Sequence, residues 1–486
     1  MLLACRVWAL SAAGIVTLTL GNIFLTMQVL NGKEELLACG GFSSPKAWTA
    51  AMQEGNLTNY LAILREANIV TDDMLCNNKV VCKGVSTRNS TSSSSDTEYM
   101  KKSSQAAFMI DDQLGRWDNH RLYKTYDHVY TGPNYRTLSS SAVVCLATQT
   151  SVDRLYWLIQ AARHWSEPVS IAVFTPDIEY GIARIYFQYL MACFPLIGDR
   201  VTVHFTYPKE HPPLQLQLNI QDLLKLCDKP VTVLRELLHH RDYKMMAWRE
   251  RMAYPQNVLR NVARKNCNTE WVFLIDVDIV AIPNFSRQLN DFLRTSTARG
   301  CAKCAFVIPT YEVDEKAQMP RNVTALLQLV RSNKARPFHQ KVFVHNQYAT
   351  NFSLWQSQHN RSATDTVTVS HKVTNFEFFY EPFYVSRDSA PPHDERFVGY
   401  GFTRNTQVYE MFVSGYEFFV LSPLFTLHWG MQVKKSRPQW RETQNNKNRK
   451  RFEGFKKEIL GRYQKDPLGM MKPKRKIIKK SWKNKS

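Results

Sequence analysis

The chain has 486 residues, of which 44% are hydrophobic and 22% are charged. This balance excludes a wholly disordered protein, and the length is sufficient for a large core and one or two domains. The formal net charge is +21 at pH 7, but residues 433–486 alone contain 20 Lys/Arg against 4 Asp/Glu, so the excess is mainly a feature of the C-terminal tail.

Residues 7–30 are almost wholly apolar. A run of about 20 such residues spans a bilayer, and this one is longer than the core of a typical signal peptide. Arg6 precedes the run, which places residues 1–6 in the cytosol by the positive-inside rule. We therefore predict a transmembrane signal anchor over residues 7–30, with a cleaved signal peptide as the alternative. Either one puts the rest of the chain in the secretory lumen.

Two further features fit a lumenal location. Nine of the ten cysteines follow the apolar run, so disulfides are expected, with at least one cysteine left over and a connectivity that the sequence leaves open. Cys301 and Cys304 have no second Cys/His pair at zinc-finger spacing, which favours a disulfide or a core position over a metal site. Glycosylation acceptor tripeptides begin at Asn56, Asn89, Asn284, Asn322, Asn351, Asn360 and Asn484.

The chain divides into a stem, a body and a tail. Residues 31–135 are predicted to be a stem and an irregular region, because residues 86–104 are rich in serine and threonine, as flexible linkers are. Residues 136–432 are predicted to be the catalytic domain, and residues 433–486 the basic tail. Within the tail, residues 449–463 have a helical apolar pattern that could pack on the body, and disorder is expected beyond residue 472.

The first part of the body alternates between buried-strand and helix patterns. Strands are predicted at 141–147, 168–174 and 200–205, with helices at 152–165 and 182–193 between them. This order predicts an α/β fold with a parallel sheet and crossover helices. Thr148 and Gln149 follow the first strand, where such sheets bind nucleotides, so they are candidates for nucleotide contact; capping of the next helix is an equally good explanation.

The clearest chemical signal is a buried strand that ends in two carboxylates. Five large apolar residues at 271–275 run into Asp276, and Asp278 follows one residue later. A two-residue repeat would point both carboxylates to the same side, where they could hold a divalent cation beside a diphosphate. The alternative is that one Asp caps a turn and the other is solvated.

A helix predicted over residues 256–267 precedes this strand. Arg260 and Arg264 are four residues apart and share a face of it. A guanidinium group suits planar anions, so one of them could meet a diphosphate or a uronic carboxylate, unless both point to solvent.

The C-terminal part of the body carries the remaining candidates. Residues 314–374 are predicted to be largely irregular and to help bind substrate. Asp394 and Glu395 lie in an aromatic and glycine-rich segment, where one could be the general base for an acceptor hydroxyl; an exposed acidic pair bound to Arg396 is the alternative. His428 follows an apolar run and could be a third ligand for a manganese-class ion, although a lone histidine is more often structural.

The basic tail raises the question of nucleic acid, which a membrane anchor and lumenal acceptor tripeptides argue against. Contact with anionic membrane head groups or acidic glycans is one alternative, and a solvated tail without a specific partner is another.

Several motifs in this order resemble the beta-1,4-glucuronyltransferase family (glycosyltransferase family 49), to which the C-terminal catalytic half of LARGE-type xylosyl- and glucuronyltransferases belongs. The motifs are Thr148-Gln149 after a strand, Tyr254-Pro-Gln-Asn-Val-Leu-Arg-Asn261, Phe273-Leu-Ile-Asp276-Val-Asp278, Glu381-Pro-Phe-Tyr-Val, Asp394-Glu-Arg-Phe-Val-Gly-Tyr-Gly401 and His428-Trp-Gly. The resemblance covers roughly residues 140–432.

The resemblance implies a GT-A fold, with a Rossmann-like mixed sheet flanked by helices, in a type II Golgi membrane protein. It also implies a Mn²⁺-dependent UDP-sugar donor, a glycan acceptor and inversion at the anomeric carbon. By motif, Asp276, Asp278 and His428 would be metal ligands, and Asp276 would also contact the diphosphate. Asp394 or Glu395 would be the base. Thr148, Gln149, Asn257 and Arg260 would contact the donor.

The expected donor is UDP-glucuronate, and UDP-N-acetylglucosamine is the close alternative. A non-catalytic glycan-binding protein of the same fold and a metal-dependent nucleotidyltransferase are alternatives of other classes. The sequence leaves the oligomeric state open, with a homodimer as one option.

Overall fold

The computed structural model describes residue 110 and residues 114–359, 366–434 and 438–471. The predicted anchor over residues 7–30, most of the predicted stem and the end of the tail lie outside these ranges. Among the helices within them, none is both long enough and apolar enough to span a membrane.

The strands are β1 (Arg116–Trp117), β2 (Tyr123–Thr131), β3 (Val144–Ser151), β4 (Val169–Phe174), β5 (Val201–Pro208), β6 (Trp271–Asp276), β7 (Ile279–Ala281), β8 (Cys304–Ile308), β9 (Thr310–Val313), β10 (Ala335–Pro337), β11 (Thr368–Lys372), β12 (Phe383–Arg387), β13 (Glu417–Ser422) and β14 (Thr426–Trp429). The helices are α1 (Tyr135–Ser141), α2 (Leu158–His164), α3 (Ile178–Cys193), α4 (Pro195–Arg200), α5 (Ile220–Leu223), α6 (Pro230–Leu238), α7 (Tyr243–Arg251), α8 (Gln256–Lys265), α9 (Phe285–Leu293), α10 (Ser296–Arg299), α11 (Val323–Arg331), α12 (Phe352–His359), α13 (Arg404–Val413) and α14 (Gln439–Tyr463).

Among the described residues, the larger sheet has ten strands in the order β1-β2-β5-β4-β3-β6-β12-β8-β13-β11. The central strands β5, β4, β3 and β6 are parallel, as the alternation of strand and helix patterns predicted. Strand β12 runs antiparallel to both of its neighbours, β6 and β8. The sheet is therefore mixed, which confirms the predicted α/β class.

The apolar runs form strands that are buried on both faces. On β3, Cys145 and Ala147 pack in a cluster with Val258 and Leu259 of α8. The alternate residues Val144 and Leu146 pack in the larger core, which contains side chains of α2 and α3. Because alternate strand residues face opposite sides, such a sheet needs apolar residues at nearly every position.

A second sheet of four strands, counted within the described ranges, has the order β10-β9-β14-β7. Strand β7 begins only three residues after β6 ends, so the turn through Val277 and Asp278 passes from one sheet to the other. This transition lies at the carboxyl end of β6, the end of a parallel strand at which open α/β sheets bind ligands.

Within the part of the chain that the structure describes, three disulfides join cysteines whose pairing the sequence left open: Cys145–Cys267, Cys193–Cys227 and Cys301–Cys304. The third agrees with one of the two predictions for the Cys301–Cys304 pair. The first links the beginning of β3 to the residues after α8, across a sequence separation of 122 residues.

The folded body extends beyond the boundaries predicted at residues 136 and 432. Strand β2 lies in the predicted stem, yet it pairs antiparallel with β5. Its aromatic and β-branched residues are a strand signal that the serine-rich composition upstream obscured. At the other end, α14 lies in the predicted tail and buries Phe452, Phe455 and Ile459 against the body. The apolar pattern of residues 449–463 does correspond to part of this helix.

Residues 314–374 are also more ordered than predicted, because they contain α11, β10, α12 and β11. Strand β11 pairs with β13, which lies about 50 residues further along the chain. Such partners are not visible from a local window of sequence.

A fully buried histidine links β2, β5 and α8. The Nδ1 of His204 accepts a hydrogen bond from the backbone N–H of His128 at 2.8 Å. Its Nε2 lies 3.1 Å from Ser170 Oγ, which itself donates to the carbonyl oxygen of Ala263. The ring is therefore the neutral tautomer with its proton on Nε2, and burial together with the nearby His128 lowers its pKa to about 3.

This buried histidine predicts a loss of stability in mild acid. Because the folded pKa of His204 lies below the unfolded value of about 6.5, its contribution is intact above that pH and is lost as the pH falls toward 3. Between pH 7 and pH 5 it should reduce the free energy of unfolding by about 2 kcal/mol. Urea unfolding of His204→Gln should show a smaller difference between the two pH values, whereas the exposed His240→Gln should match the wild type. Equal differences in all three proteins would contradict this assignment.

Candidate functional site

Asp276, the last residue of β6, is held by two buried arginines. Its Oδ1 accepts hydrogen bonds from Arg260 Nη2 at 3.2 Å and from Arg404 Nη2 at 2.9 Å. Burial alone would raise the pKa of Asp276, but the charges of Arg404 and Arg260 outweigh it, and the pKa is lowered. Asp276 is therefore an anion at neutral pH. Of the two orientations that the sequence left open for Arg260, the side chain takes the one toward the end of the strand.

Asp278 faces a different set of partners. Its Oδ2 lies 2.6 Å from Arg154 Nη2 and 3.5 Å from His428 Nε2. Burial raises and Arg154 lowers the pKa of Asp278, with a net shift far below its usual range. A continuing strand was predicted to point both carboxylates to the same side. The strand instead ends at Asp276, because residues 277–278 form a turn, and the two carboxylates have different partners.

The topology explains why Asp278 and His428 meet across 150 residues of sequence. Strand β14 pairs antiparallel with β7, and His428 lies opposite Ile279, the residue that follows Asp278. Pairing of β14 with β9 on its other side fixes the same register, with His428 opposite Glu312. Backbone pairing of three strands therefore sets the distance between the carboxylate and the imidazole.

The hydrogen bonds of His428 indicate which nitrogen is available. Its Nδ1 lies 3.3 Å from the carbonyl oxygen of Gly430, which only accepts, so Nδ1 carries the proton. Its Nε2 lies 3.2 Å from the side-chain amide nitrogen of Gln432, which donates to it. The Nε2 of His428 and a carboxylate oxygen of Asp278 are 3.5 Å apart, and His428 is among the groups that lower the pKa of Asp278. A carboxylate oxygen and an imidazole nitrogen at this distance can share a cation.

The donor types of this pair fit a manganese-class ion, since carboxylate oxygen and imidazole nitrogen are both common ligands for it. Among the described residues, no group of three His, Cys, Asp or Glu side chains is arranged closely enough to hold a metal ion. Of the three predicted ligands, Asp276 is the one that does not face the other two, because its Oδ1 faces the two arginines. The three-ligand set of Asp276, Asp278 and His428 remains a prediction.

His339 also belongs to this site, although the sequence did not single it out. It interacts electrostatically with His428, Asp276 and Asp278, and burial lowers its pKa to about 4. It is therefore neutral at physiological pH. The only sequence signal is its position after Arg336-Pro-Phe338, in a segment predicted to be irregular.

The predicted nucleotide contacts lie at different places. Gln149 pairs in register with Asp276, and its Oε1 accepts a hydrogen bond from Tyr254 Oη at 2.6 Å. Thr148, the preceding strand residue, faces the other side of the sheet, where its buried Oγ1 has no hydrogen-bond partner among the described residues. Asn257 donates to the carbonyl oxygen of Asp394 at 2.9 Å, so its amide joins α8 to the loop that carries the predicted base.

Asp394 and Glu395 have partners of their own. Asp394 forms ion pairs with Arg396, whose guanidinium also binds Glu458 of α14. Glu395 accepts a hydrogen bond from Asn261 Nδ2 at 2.9 Å. The structure shows no contact of either carboxylate with Asp276, Asp278 or His428, so their catalytic role remains a prediction.

Another carboxylate lies beside the Asp276 cluster. Glu381 interacts electrostatically with Arg404, Arg260 and Asp276, and burial raises its pKa above the usual value. Its Oε2 accepts a hydrogen bond from Asn346 Nδ2 at 2.6 Å. Glu381 begins the Glu381-Pro-Phe-Tyr-Val motif and Arg404 lies three residues after Gly401, but nothing local to either segment indicates that the two residues meet.

A second buried carboxylate, Glu312, holds the backbone around His428. Its Oε1 accepts from the backbone N–H of His339 at 2.9 Å, and its Oε2 accepts from Arg336 Nε at 2.8 Å and from the backbone N–H of Gln432 at 3.1 Å. Glu312 is fully buried. Glu312 therefore holds the segments that carry His339 and Gln432, the two residues beside His428 in the site.

We expect Glu312→Gln to reduce the free energy of unfolding by about 3 kcal/mol, because it leaves the Arg336 guanidinium without its charged partner and removes one acceptor from a fully bonded group. Urea unfolding at pH 7 measures this loss. The control is Glu236→Gln, whose side chain is 57% exposed and should change stability by less than about 0.5 kcal/mol. A variant at position 312 as stable as the control would show that this network has no net stabilising role.

Comparison with known proteins agrees with this architecture. The profile of a family described as "Glycosyl-transferase for dystroglycan" matches residues 143–464. Beta-1,4-glucuronyltransferase 1 of Bos taurus is 32% identical over 348 residues, which cover 70% of this chain and 80% of that protein. The xylosyl- and glucuronyltransferase LARGE1 of Homo sapiens is 26% identical over 318 residues, which cover 64% of this chain but only 34% of that protein.

Among solved structures, the crystal structure of GalNAc-T7 with UDP, GalNAc and Mn²⁺ aligns with 66% of this chain and 50% of that chain, at 7% identity and a TM-score of 0.34. That similarity is too low to support a conclusion. The matched profile covers well over half of the chain and includes all the residues of the Asp276–Asp278–His428 site. The chain therefore belongs to glycosyltransferase family 49, and it is a glycosyltransferase.

Proposed function

We propose that this chain transfers glucuronic acid from UDP-glucuronate to a glycan acceptor, with Mn²⁺ as cofactor and inversion at the anomeric carbon, on a GT-A fold. The observation that carries the proposal is the carboxylate–imidazole pair of Asp278 and His428, placed at the carboxyl end of β6 beside three arginines. The names of the most similar relatives support the choice of sugar.

The arginines suit an anionic donor. Arg260 and Arg404 are buried with Asp276, whereas the Arg154 side chain is 48% exposed and can leave Asp278 for a ligand. A guanidinium binds diphosphate and uronate oxygens in a two-pronged geometry. A donor with a neutral sugar, such as UDP-N-acetylglucosamine, would engage such a group only through its diphosphate. This difference favours UDP-glucuronate over the alternative donor.

In this proposal Asp278 and His428 hold the Mn²⁺ ion, with Asp276 as the further ligand that the sequence predicted. A bound divalent ion supplies charge that stabilises the departing diphosphate. Arg154, no longer paired with Asp278, binds a donor oxygen. Arg260 and Arg404 keep Asp276 ionised and fixed in place.

Inversion by direct displacement requires a base that takes the proton of the acceptor hydroxyl as the bond to the sugar forms. We assign this role to Glu381, because it is the carboxylate next to the Asp276 cluster and because its raised pKa makes it a stronger base than an ordinary glutamate. Asp394 and Glu395 are the two competing assignments from the sequence.

The predicted setting is a type II membrane protein of the Golgi with a lumenal catalytic domain. It rests on the apolar run at residues 7–30 and on the acceptor tripeptides. Protection of the body from protease in sealed microsomes, and its loss on adding detergent, would support this orientation. Digestion without detergent would contradict it.

The test of the activity uses the full-length protein in detergent with Mn²⁺ and a panel of UDP-sugars. UDP release is followed with and without acceptors that end in xylose, galactose or N-acetylglucosamine. Acceptor-dependent release with UDP-glucuronate alone would support the proposal. Release only with UDP-N-acetylglucosamine would overturn the donor. Folded protein that binds UDP and Mn²⁺ but releases nothing with any pair would favour the non-catalytic alternative.

A further inference from the structure

A cavity of about 360 Å³ lies between β1 and the outer side of α8. Its lining includes Trp117, Asn119, Asn261, Arg264, Lys265 and Glu395. Cavities that bind small molecules start at about this size, near 300 Å³. Glu395 is one of the two alternatives to Glu381 as the base, whereas none of the residues assigned to the metal or the diphosphate lines the cavity.

One end of the cavity lies away from the transfer site along β6. Lys265 ends α8, and the backbone N–H of Asp388 bonds to Glu270, the residue before β6, so both flank the beginning of that strand. Asp276 is the last of its six residues. A six-residue strand is roughly 17 to 20 Å long, which separates this end of the cavity from the Asp276 cluster.

Most of the charge in the cavity is already neutralised within the protein. Arg116 pairs with Asp127, and Arg264 pairs with Asp388. Asp118 accepts hydrogen bonds from the backbone N–H groups of His120, Leu122 and Tyr123. Among the described lining residues, Lys265 is the one cation without such a pair, so a nucleotide phosphate would meet a single unpaired positive charge here. The lining instead offers amide and carboxylate groups, which pair with hydroxyl groups.

The aromatic member of the lining is accessible. Trp117 remains 41% exposed, although Lys124 Nζ lies 5.7 Å from its ring centroid on the adjacent strand. Asn119 is exposed beside it, and Asn261 and Glu395 form a hydrogen-bonded pair on the α8 side. An accessible indole opposite fixed amide and carboxylate groups matches a sugar ring, which has apolar C–H faces and a rim of hydroxyls.

We propose that this cavity is a second saccharide-binding site, in which Trp117 stacks on a neutral sugar and Asn119 and Glu395 bind its hydroxyls, while Asn261, whose amide already bonds to His393 and Glu395, holds Glu395 in place. The proposal does not depend on the donor or on the reaction. In a glycosyltransferase, such a site would hold a glycan chain away from the residue that is being extended. Acceptors long enough to reach both sites would then bind more tightly than short ones.

The test is isothermal titration calorimetry of the full-length protein with xylotetraose, without UDP-sugar. We expect saturable binding that Trp117→Ala weakens about tenfold or more and that Trp117→Phe largely retains, because a smaller aromatic ring still stacks. The control Tyr243→Ala removes an aromatic side chain that is 83% exposed and lies outside the cavity, and it should bind as the wild type does.

Two results would overturn the proposal. One is no detectable binding to a folded wild-type protein. The other is equal affinity of the wild type and Trp117→Ala, which would place the ligand elsewhere. Asp278→Asn should retain the Trp117-dependent binding, and its loss in that variant would assign the site to the transfer centre. Failure of the enzyme to use UDP-glucuronate would leave these results unchanged, so the two proposals fail separately.

Discussion

Asp278→Asn is expected to lower kcat/KM for sugar transfer by about 10³-fold, which is the effect of losing roughly 4 kcal/mol of charge stabilisation in the transition state. The change removes the negative charge that faces both Arg154 and His428 while it keeps the shape of the side chain. The measurement is the initial rate of UDP release at several Mn²⁺ concentrations. The variant should also require more Mn²⁺ for half-maximal activity.

The control for this change is Asp291→Asn, whose side chain is 68% exposed on α9. It should match the wild type in rate and in Mn²⁺ requirement. Thermal unfolding of both variants shows whether the fold is intact, and Asp278→Asn should remain folded because Arg154 can turn to solvent. A folded Asp278→Asn protein with unchanged turnover and Mn²⁺ dependence would refute the assignment of the metal site.

Glu381→Gln is expected to lower kcat by about 10²- to 10⁴-fold, the usual contribution of a general base. Glutamine keeps an oxygen for the hydrogen bond from Asn346 but cannot take a proton from the acceptor. Burial raises the pKa of Glu381 above the ordinary glutamate value of about 4.3. Wild-type kcat/KM should therefore fall as the pH drops through this raised pKa. Below that pKa the base is protonated and inactive.

Asp394→Asn and Glu395→Gln are the matched comparisons, since each makes the same chemical change at a residue that the sequence predicted as the base. We expect both to retain most of the activity and the acidic limb of the pH profile. If Asp394→Asn or Glu395→Gln lost the acidic limb while Glu381→Gln kept wild-type activity, the base would be the residue that the sequence predicted, and Glu381 would have no part in the mechanism. A loss in Glu381→Gln with an unchanged acidic limb would indicate that Glu381 only positions other groups.

The elements around Asp276 could be predicted because their signals are local. The apolar run of β6 and the helical pattern of α8 each show burial within a short window, and both elements form close to the predicted bounds. The motif order also identified the family, which the profile match confirms. The shared helix face of Arg260 and Arg264 left open whether either one faces the strand end, and only the structure shows the contact of Arg260 with Asp276.

The partners of these elements could not be predicted in the same way. Nothing in the sequence near Glu381 indicates that it lies beside Arg404 and Asp276, since β12 enters the sheet antiparallel between β6 and β8. The same holds for β2, which adds to the sheet beyond β5. Strand pairing joins residues that are far apart in the chain, and a local pattern contains no information on which strand will be the neighbour.

By itself, the sequence determined the α/β class, the buried strand with Asp276 and Asp278 at its end, the candidate status of His428 and membership of a glycosyltransferase family. The tertiary structure decided that Asp278, and not Asp276, faces His428. It also paired Asp394 with Arg396, and it placed Glu395 in the lining of the cavity beside β1. The physical reason is that periodicity and composition report the burial of each segment, whereas the register between segments, which sets distances between charged groups, is a property of the whole sheet.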